Sequence, residues 1–309
     1  MADHATATLA ANLQDAIGRV VLGKPEAIRL ALTTLLARGH LLIEDRPGVG
    51  KTLLARTLAR SLGLPFQRVQ CTSDLLPADI VGAQVYQPNS GEISFRRGPI
   101  FTAILVADEL NRTPPRTQSA LLESMQERSV TVDRTTHQLD DPFMVVATQT
   151  PTSFSGTYPL PESQLDRFLM RIQIGYPVTE DEVEIVSRED GHEALATMDP
   201  VADVEQLRAA QRDVRNVSVH ADLVQYMVDI AQQTRMTQEV RIGVSPRGVQ
   251  ALHRACRAHA IVCGRDYVVP DDIRSLAAPV FAHRMSARGG DGAAQALLAS
   301  ILSTVESPD

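Results

Sequence analysis

The stretch Leu41-Leu42-Ile43-Glu44-Asp45-Arg46-Pro47-Gly48-Val49-Gly50-Lys51-Thr52 constrains this chain more than any other. A short apolar run breaks into a glycine-bearing loop, and Leu53 to Leu62 then carries helical spacing that stops at Gly63. Strand, glycine loop, Lys-Thr and helix together make a phosphate-binding loop. Backbone N–H groups at a helix N-terminus attract an anion, the lysine reaches the outer phosphates, and the threonine hydroxyl ligates magnesium. Gly48 and Gly50 let the backbone close on phosphate without a Cβ in the way. Gly48, Val49, Gly50, Lys51 and Thr52 are therefore the candidate nucleotide-binding residues, with Thr52 also a metal ligand. One position departs from the G-x-x-x-x-G-K-T pattern, because residue 45, the first glycine, is Asp45. A carboxylate aimed inward would repel phosphate, so Asp45 is expected to point outward and pair with Arg46. Aspartate also tolerates unusual turn dihedrals better than most residues. An ordinary turn before a core helix would share the bare pattern, so a second signal is needed.

That signal is Phe101-Thr102-Ala103-Ile104-Leu105-Val106-Ala107-Asp108-Glu109. A buried strand delivers two adjacent carboxylates to its C-terminal end, the ligand side of an open α/β sheet. Asp108 is suited to hold magnesium, directly or through water. Glu109 is suited to polarise an attacking water, since hydrolysis needs a positioned base more than covalent chemistry.

The bulk of the chain is consistent with such an enzyme. Its 309 residues suffice for two domains, and 44% hydrophobic with 22% charged residues is ordinary globular composition. A net charge of −7 argues against a dedicated nucleic-acid binder. Three cysteines without a C-x-x-C pair imply no disulfide framework, and the eight histidines lack metal-ligand spacing. Met1 to Asn12 has no basic flank or apolar centre of a signal peptide, and no run is long enough to span a bilayer. A cytoplasmic location is expected.

Candidate strands are His40–Ile43, Phe66–Cys71, Phe101–Ala107, Phe143–Thr148 and Phe168–Ile174, separated by helical or loop segments, which predicts a covered, mostly parallel sheet. Residues 129–140 read as a projecting hairpin. Residues 74–97, turn-rich at Pro88-Asn89-Ser90-Gly91, read as an inserted loop or hairpin long enough to contact a partner. Beyond Pro177 helices dominate: Thr179 with Glu182 reads as a capping box, Ser245-Pro246 and Asp271-Asp272 open helices, and Gly289-Gly290 precede a last one. The expected division is an α/β domain over 1–176 and an all-helical domain over 177–309.

With these residues placed, the chain resembles the MoxR-type AAA+ ATPases. The resemblance rests on Gly98-Pro99-Ile100-Phe101, Ala107-Asp108-Glu109-Leu110-Asn111-Arg112-Thr113-Pro114-Pro115, Gln118-Ser119-Ala120-Leu121-Leu122-Glu123 and Met125-Gln126-Glu127. It continues through Ala147-Thr148-Gln149, Gly156 to Glu162, Gln164-Leu165-Asp166-Arg167-Phe168 and, earlier, Asp74 to Ile80, covering roughly Val20 to Met285. It implies an AAA+ P-loop core with a parallel sheet and a helical lid, binding ATP and Mg2+. It further implies Arg167 as an arginine finger that reaches the γ-phosphate of a neighbouring subunit, and Arg247 in Ser245-Pro246-Arg247-Gly248 as a second sensor contacting phosphates from the lid. Without the resemblance, Arg167 reads as a surface cation paired with Asp166 or Glu162. The first-sensor position, usually Asn in the family, is Thr150, whose hydroxyl can orient water over a shorter reach.

The resemblance also implies a homo-oligomeric ring, a hexamer, that remodels or activates client proteins. A partner with a von Willebrand factor A domain would be a separate chain, because no D-x-S-x-S motif occurs here. Two other functions stay open: a nucleotide-gated binding switch with negligible turnover, motivated by Thr150, and a nucleic-acid motor, which the acidic balance disfavours.

Overall fold

The computed structural model describes residues 4–88, 91–151, 156–188, 191–289 and 291–308. Asn89, Ser90 and Gly290, named in the predicted turns, lie outside the described residues, as do Met1 to Asp3. Two helices, α1 (His4–Gly18) and α2 (Pro25–Leu36), precede the first strand, β1 (Leu41–Glu44). The glycine loop opens α3 (Lys51–Ser61), which leads to β2 (Phe66–Gln70). A short helix, α4 (Pro77–Val81), runs into a hairpin of β3 (Gly82–Gln87) and β4 (Glu92–Arg97). Next come β5 (Ile104–Asp108), α5 (Pro115–Glu127), a second hairpin of β6 (Ser129–Val132) and β7 (Thr135–Gln138), and β8 (Met144–Gln149). The short α6 (Glu162–Leu165) then precedes β9 (Met170–Ile172). Helices α7 (Thr179–Ser187), α8 (Gly191–Ala196), α9 (Val204–Asp213) and α10 (Ala221–Met236) follow. The strand β10 (Val240–Ile242) leads to α11 (Pro246–Val262) and α12 (Pro270–Phe281), and β11 (Ser286–Ala287), antiparallel to β10, leads to α13 (Asp291–Thr304).

The five predicted strands form one parallel sheet in the order β2-β5-β8-β1-β9. Its centre is dry: β5 and β8 are buried along their whole length, as near-continuous apolar runs require when both faces are covered. Strand alternation separates the two faces. Leu41, Ile43, Ile104, Val106, Met144 and Val146 join one core with α1–α3 and the C-terminal helices. Leu42, Leu105, Ala107, Val145 and Ala147 join a second core with Leu121, Leu122 and Met125 of α5. The first core crosses Pro177 without a break, so Leu13 and Leu32 share it with Leu207, Met227, Leu252 and Phe281.

Both insertions contain hairpins, as expected. The capping box at Thr179 is not formed: Val178 is the extended N-cap, with no side-chain oxygen to offer, and Thr179 is already the first helical residue. Among the described residues, no helix is long and apolar enough to cross a membrane.

Candidate functional site

β1 ends at Glu44 and the chain loops into α3 with Gly48 and Gly50 at φ of +87° and +91°. A Cβ on either glycine would meet nothing within 4 Å, so this side of the loop faces open space. A phosphate can approach the backbone there. Asp45 points outward, as the sequence predicts. Its Oδ1 accepts from the Arg46 N–H at 2.7 Å, and its Oδ2 accepts from the Ile174 and Gly175 N–H groups at 2.8 and 2.6 Å. The carboxylate thus ties the loop to the segment after β9. The expected ion pair with Arg46 is not made, because that guanidinium lies 5.8 Å over the Tyr176 ring. Lys51 Nζ donates to the carbonyls of Asp45 and Arg46 at 2.5 and 3.2 Å. Burial holds its pKa below the usual value, against the pull of Asp45, Asp108 and Glu109. It is folded across the loop mouth on neutral carbonyl partners that an anion can replace.

The register Ala107↔Ala147 brings Thr148 beside Asp108 at the carboxyl ends of β5 and β8. Thr148 Oγ1 donates to Asp108 Oδ1 at 2.6 Å and accepts from the Glu109 N–H at 2.9 Å, so one hydroxyl orients both acidic residues. Arg68 on β2 grips Asp108 Oδ2 at 2.6 and 3.1 Å. Burial raises the Asp108 pKa, but the bonds from Thr148 and Arg68 and the nearby Lys51 charge bring it below the usual carboxylate range. Thr52 Oγ1 lies 3.4 Å from Asp108 Oδ2. Two hard oxygen donors that close suit a small dication such as magnesium. Glu109 sits at φ +59°, a strained value for a non-glycine residue, with its carboxylate on Arg112 at 3.0 Å and within 3.4 Å of Gln70. Thr150 is buried; its Oγ1 has no partner among the described residues, while its carbonyl accepts from Asn111. Sequence reading singled out Asp108, Glu109 and Thr150 but not Thr148, Arg68, Gln70 or Arg112. Strand pairing reveals Thr148, Arg68 and Gln70, and the tight turn after β5 brings Arg112 back onto Glu109.

Arg167 and Arg247 are not at this end. They line a cavity of about 240 Å³ with Arg38, Gly39 and His40, the residues that lead into β1. The four residues of β1 separate this cavity from the loop by roughly 13 Å of extended chain. Arg167 forms no ion pair with Asp166 or Glu162, since Asp166 is taken by Arg284 at 2.8 Å and Arg247 at 3.5 Å. The expectation that Arg247 contacts phosphates from the lid is therefore not met at the chain's own loop. The reason lies in how α11 is fastened. Arg284, almost fully buried, also donates to the carbonyls of Phe168 and Leu169 just before β9, which anchors the lid at the amino ends of the strands. Gly248 permits this packing, because a Cβ would stand 2.7 Å from Val244 and 3.2 Å from the Arg284 side chain.

Beside the glycine loop lies a second cavity, of about 350 Å³, lined by Val20, Val21, Leu22, Val49, Tyr176, Pro177, Ile185 and Val186 among others. Its apolar walls suit a planar heteroaromatic base. These residues come from separate segments with no local motif, so sequence reading did not assemble them.

A family model described as "ATPase family associated with various cellular activities (AAA)" matches residues 40–170, and one for the AAA lid domain matches 232–301. Chaperone MoxR1 of Mycobacterium tuberculosis is 40% identical over 87% of this chain and 73% of its own length. Protein MoxR of Paracoccus denitrificans is 34% identical over 87% and 86%, and the uncharacterised YeaC of Bacillus subtilis 47% identical over 94% and 92%. The crystal structure of a Cytophaga hutchinsonii protein assigned as an ATPase superposes with a TM-score of 0.88 at 34% identity, covering 98% of this chain and 96% of that one.

Proposed function

The chain belongs to the MoxR-type AAA+ ATPases, and from that premise we propose that it binds ATP and Mg2+ at the loop of one copy and hydrolyses ATP with arginines of the next. The observation that carries this reading is the division of the machinery. The loop and both carboxylates stand at one end of β1, and Arg167 and Arg247 stand at the other. A head-to-tail ring brings opposite ends of neighbouring chains together; we infer a ring of six.

In this reading the base packs against the apolar walls around Val49 and Tyr176, and the phosphates lie on the loop amides between Gly48 and Thr52. Lys51 exchanges its two carbonyl partners for phosphate oxygens. Thr52 and Asp108 would hold magnesium, which when bound would neutralise phosphate charge. Thr148 holds the Glu109 backbone so that its carboxylate, once released from Arg112, can accept a proton from the attacking water. Thr150 offers that water a buried hydroxyl that has no partner among the described residues. Arg167 and Arg247 of the neighbour stabilise charge on the transferring phosphoryl group, a role worth roughly 10³–10⁵ in rate. The cycle drives remodelling or activation of a client, contacted through the 74–97 and 129–140 hairpins, with a von Willebrand factor A-domain protein as a separate partner. This agrees with the chaperone named among the relatives. A cytoplasmic location fits the same role.

One observation favours a second reading, a nucleotide-gated switch with negligible turnover: the Glu109 carboxylate is engaged by Arg112 instead of facing the loop freely. Phosphate release by wild type and Glu109→Gln, with particle mass measured with and without ATP, separates the two. ATP-dependent rings with release lost in Glu109→Gln support the motor. Rings without release in either protein support the switch, and the mass of a single chain both with and without ATP contradicts both.

A further inference from the structure

The cavity at the amino end of β1 holds more positive charge than Arg167 and Arg247 supply. Its walls carry Arg38, Arg128, Arg254 and Arg284 as well. Their commitments differ. Arg284 is spent on Asp166 and on the backbone carbonyls before β9. Arg38 and Arg128 both turn to Asp141, at 2.6 and 3.5 Å, and Arg128 also donates to the Arg38 carbonyl. Arg254 has no carboxylate or carbonyl partner among the described residues, and its side chain lines the cavity while staying open to solvent. Burial first, and the charge of Arg247 next, hold its pKa below the usual guanidinium value. Arg128 and Arg284 feel Arg254 in the same sense, as expected of cations that line one cavity.

Helix geometry explains how Arg254 arrives there. Arg247 and Arg254 are seven residues apart on α11, two turns, with Gln250 between them on the same stripe and also lining the cavity. One helix face thus presents two guanidiniums and an amide to a space of about 240 Å³, enough for a phosphate group and several waters. The carboxylate in the wall, Asp166, is already shared between Arg284 and Arg247. A cluster of cations left this short of counter-charge, in a chain of net charge −7, is organised for an anion from outside the chain.

We propose that Arg254 is a third phosphate-binding cation: with Arg167 and Arg247 it forms a composite site that receives the terminal phosphates of a nucleotide held on the loop of a second copy. This rests on the head-to-tail reading above and extends it by one residue. Arg254 grips the γ-phosphate oxygens with a fork that a point charge cannot reproduce. Its presence makes the interface selective for a triphosphate, because loss of the γ-phosphate leaves the three guanidiniums repelling one another again.

The test compares wild type, Arg254→Gln, Arg254→Lys and Arg167→Ala in phosphate release at saturating ATP, in binding of a fluorescent ATP analogue to dilute single chains, in ATP-driven assembly, and in low-salt thermal stability. Arg254→Gln is expected to lose 10-fold to 100-fold in turnover and to assemble at higher ATP concentration. Single-chain nucleotide affinity should stay within about twofold, and the melting temperature should hold or rise as repulsion is relieved. Arg254→Lys should fall between wild type and Arg254→Gln. Wild-type turnover and assembly in Arg254→Gln, with turnover lost in Arg167→Ala, would overturn this proposal and leave the ring reading standing. Wild-type behaviour in both would overturn the two together. A lowered melting temperature with impaired single-chain binding in both Arg254 variants would show a structural residue and overturn the proposal too.

Discussion

The two ends of the central sheet differ in how their charges are satisfied. At the carboxyl end nearly every charge has a local partner: Asp108 has Arg68, Glu109 has Arg112, Glu44 has Arg171, and Asp45 has three backbone N–H groups. At the amino end three guanidiniums, those of Arg167, Arg247 and Arg254, have between them one shared and distant carboxylate. The first end can wait for substrate by holding its groups on exchangeable partners. In the proposed reading the second is completed by an anion from a neighbouring copy, so that one chain carries both halves of a site that it does not close on itself.

The comparison can be broken in several ways. The largest effect is expected from Lys51→Ala, which should reduce ATP-analogue binding on single chains below detection while leaving the melting temperature almost unchanged. Retained affinity would remove the loop from the account. Arg167→Ala should bind nucleotide normally and lose about 10³–10⁵ in turnover, or about 4–7 kcal/mol of transition-state stabilisation. Glu109→Gln should bind and assemble but lose about 10²–10⁴ in phosphate release. Thr148→Val removes the hydroxyl that orients Asp108 and the Glu109 backbone, and leaves the bonds from Arg68 and Arg112 in place. It should lower turnover by about 10-fold and cost about 1–3 kcal/mol of stability in a denaturant titration, the range for a lost buried hydrogen bond.

The smallest effect sharpens the lid side, where α11 is pinned to α12 by His259 and Asp272 at 2.7 Å. Burial lowers the His259 pKa, but its bonds to Asp272 and Cys263 outweigh that and carry it to about 9 from 6.5. Burial likewise raises Asp272, but His259 and Arg265 take it to about 2 from 3.8. A raised histidine pKa stabilises the fold fully below pH 6.5, and this is lost as pH rises through about 9. The lowered aspartate pKa stabilises it above pH 3.8, and this is lost as pH falls through about 2. The melting temperature should therefore decline by a few degrees between neutrality and pH 9 in wild type. It should be flatter there in His259→Gln.

Local residue order carries part of this account, and pairing across the fold carries the rest. The glycine loop and Asp108-Glu109 are legible because the groups that carry the proposed chemistry lie within one short segment each. The five strands are legible from their apolar runs, although β5 starts three residues after Phe101 and β9 keeps only Met170 to Ile172. Thr148 gains its role from register with Asp108, and Arg68 from the next strand over, neither of which a linear pattern displays. Arg247 shows the limit most clearly. Its motif is visible in the sequence, but where it acts depends on Arg284 fastening the lid to Asp166 and the backbone before β9. Arg254 has a faint linear signal, its seven-residue spacing from Arg247, which an ordinary solvated helix face would share.

Whether each site is built from two chains is decided by mixing two inactive variants. Arg167→Ala keeps an intact loop and Lys51→Ala keeps intact arginines, so roughly a quarter of the interfaces in an equal mixture pair an intact loop with an intact arginine face. The account predicts that phosphate release, near zero in each variant alone, reappears on mixing and peaks at intermediate ratios. Mixed rings confirmed by mass that release no phosphate at any ratio would contradict it.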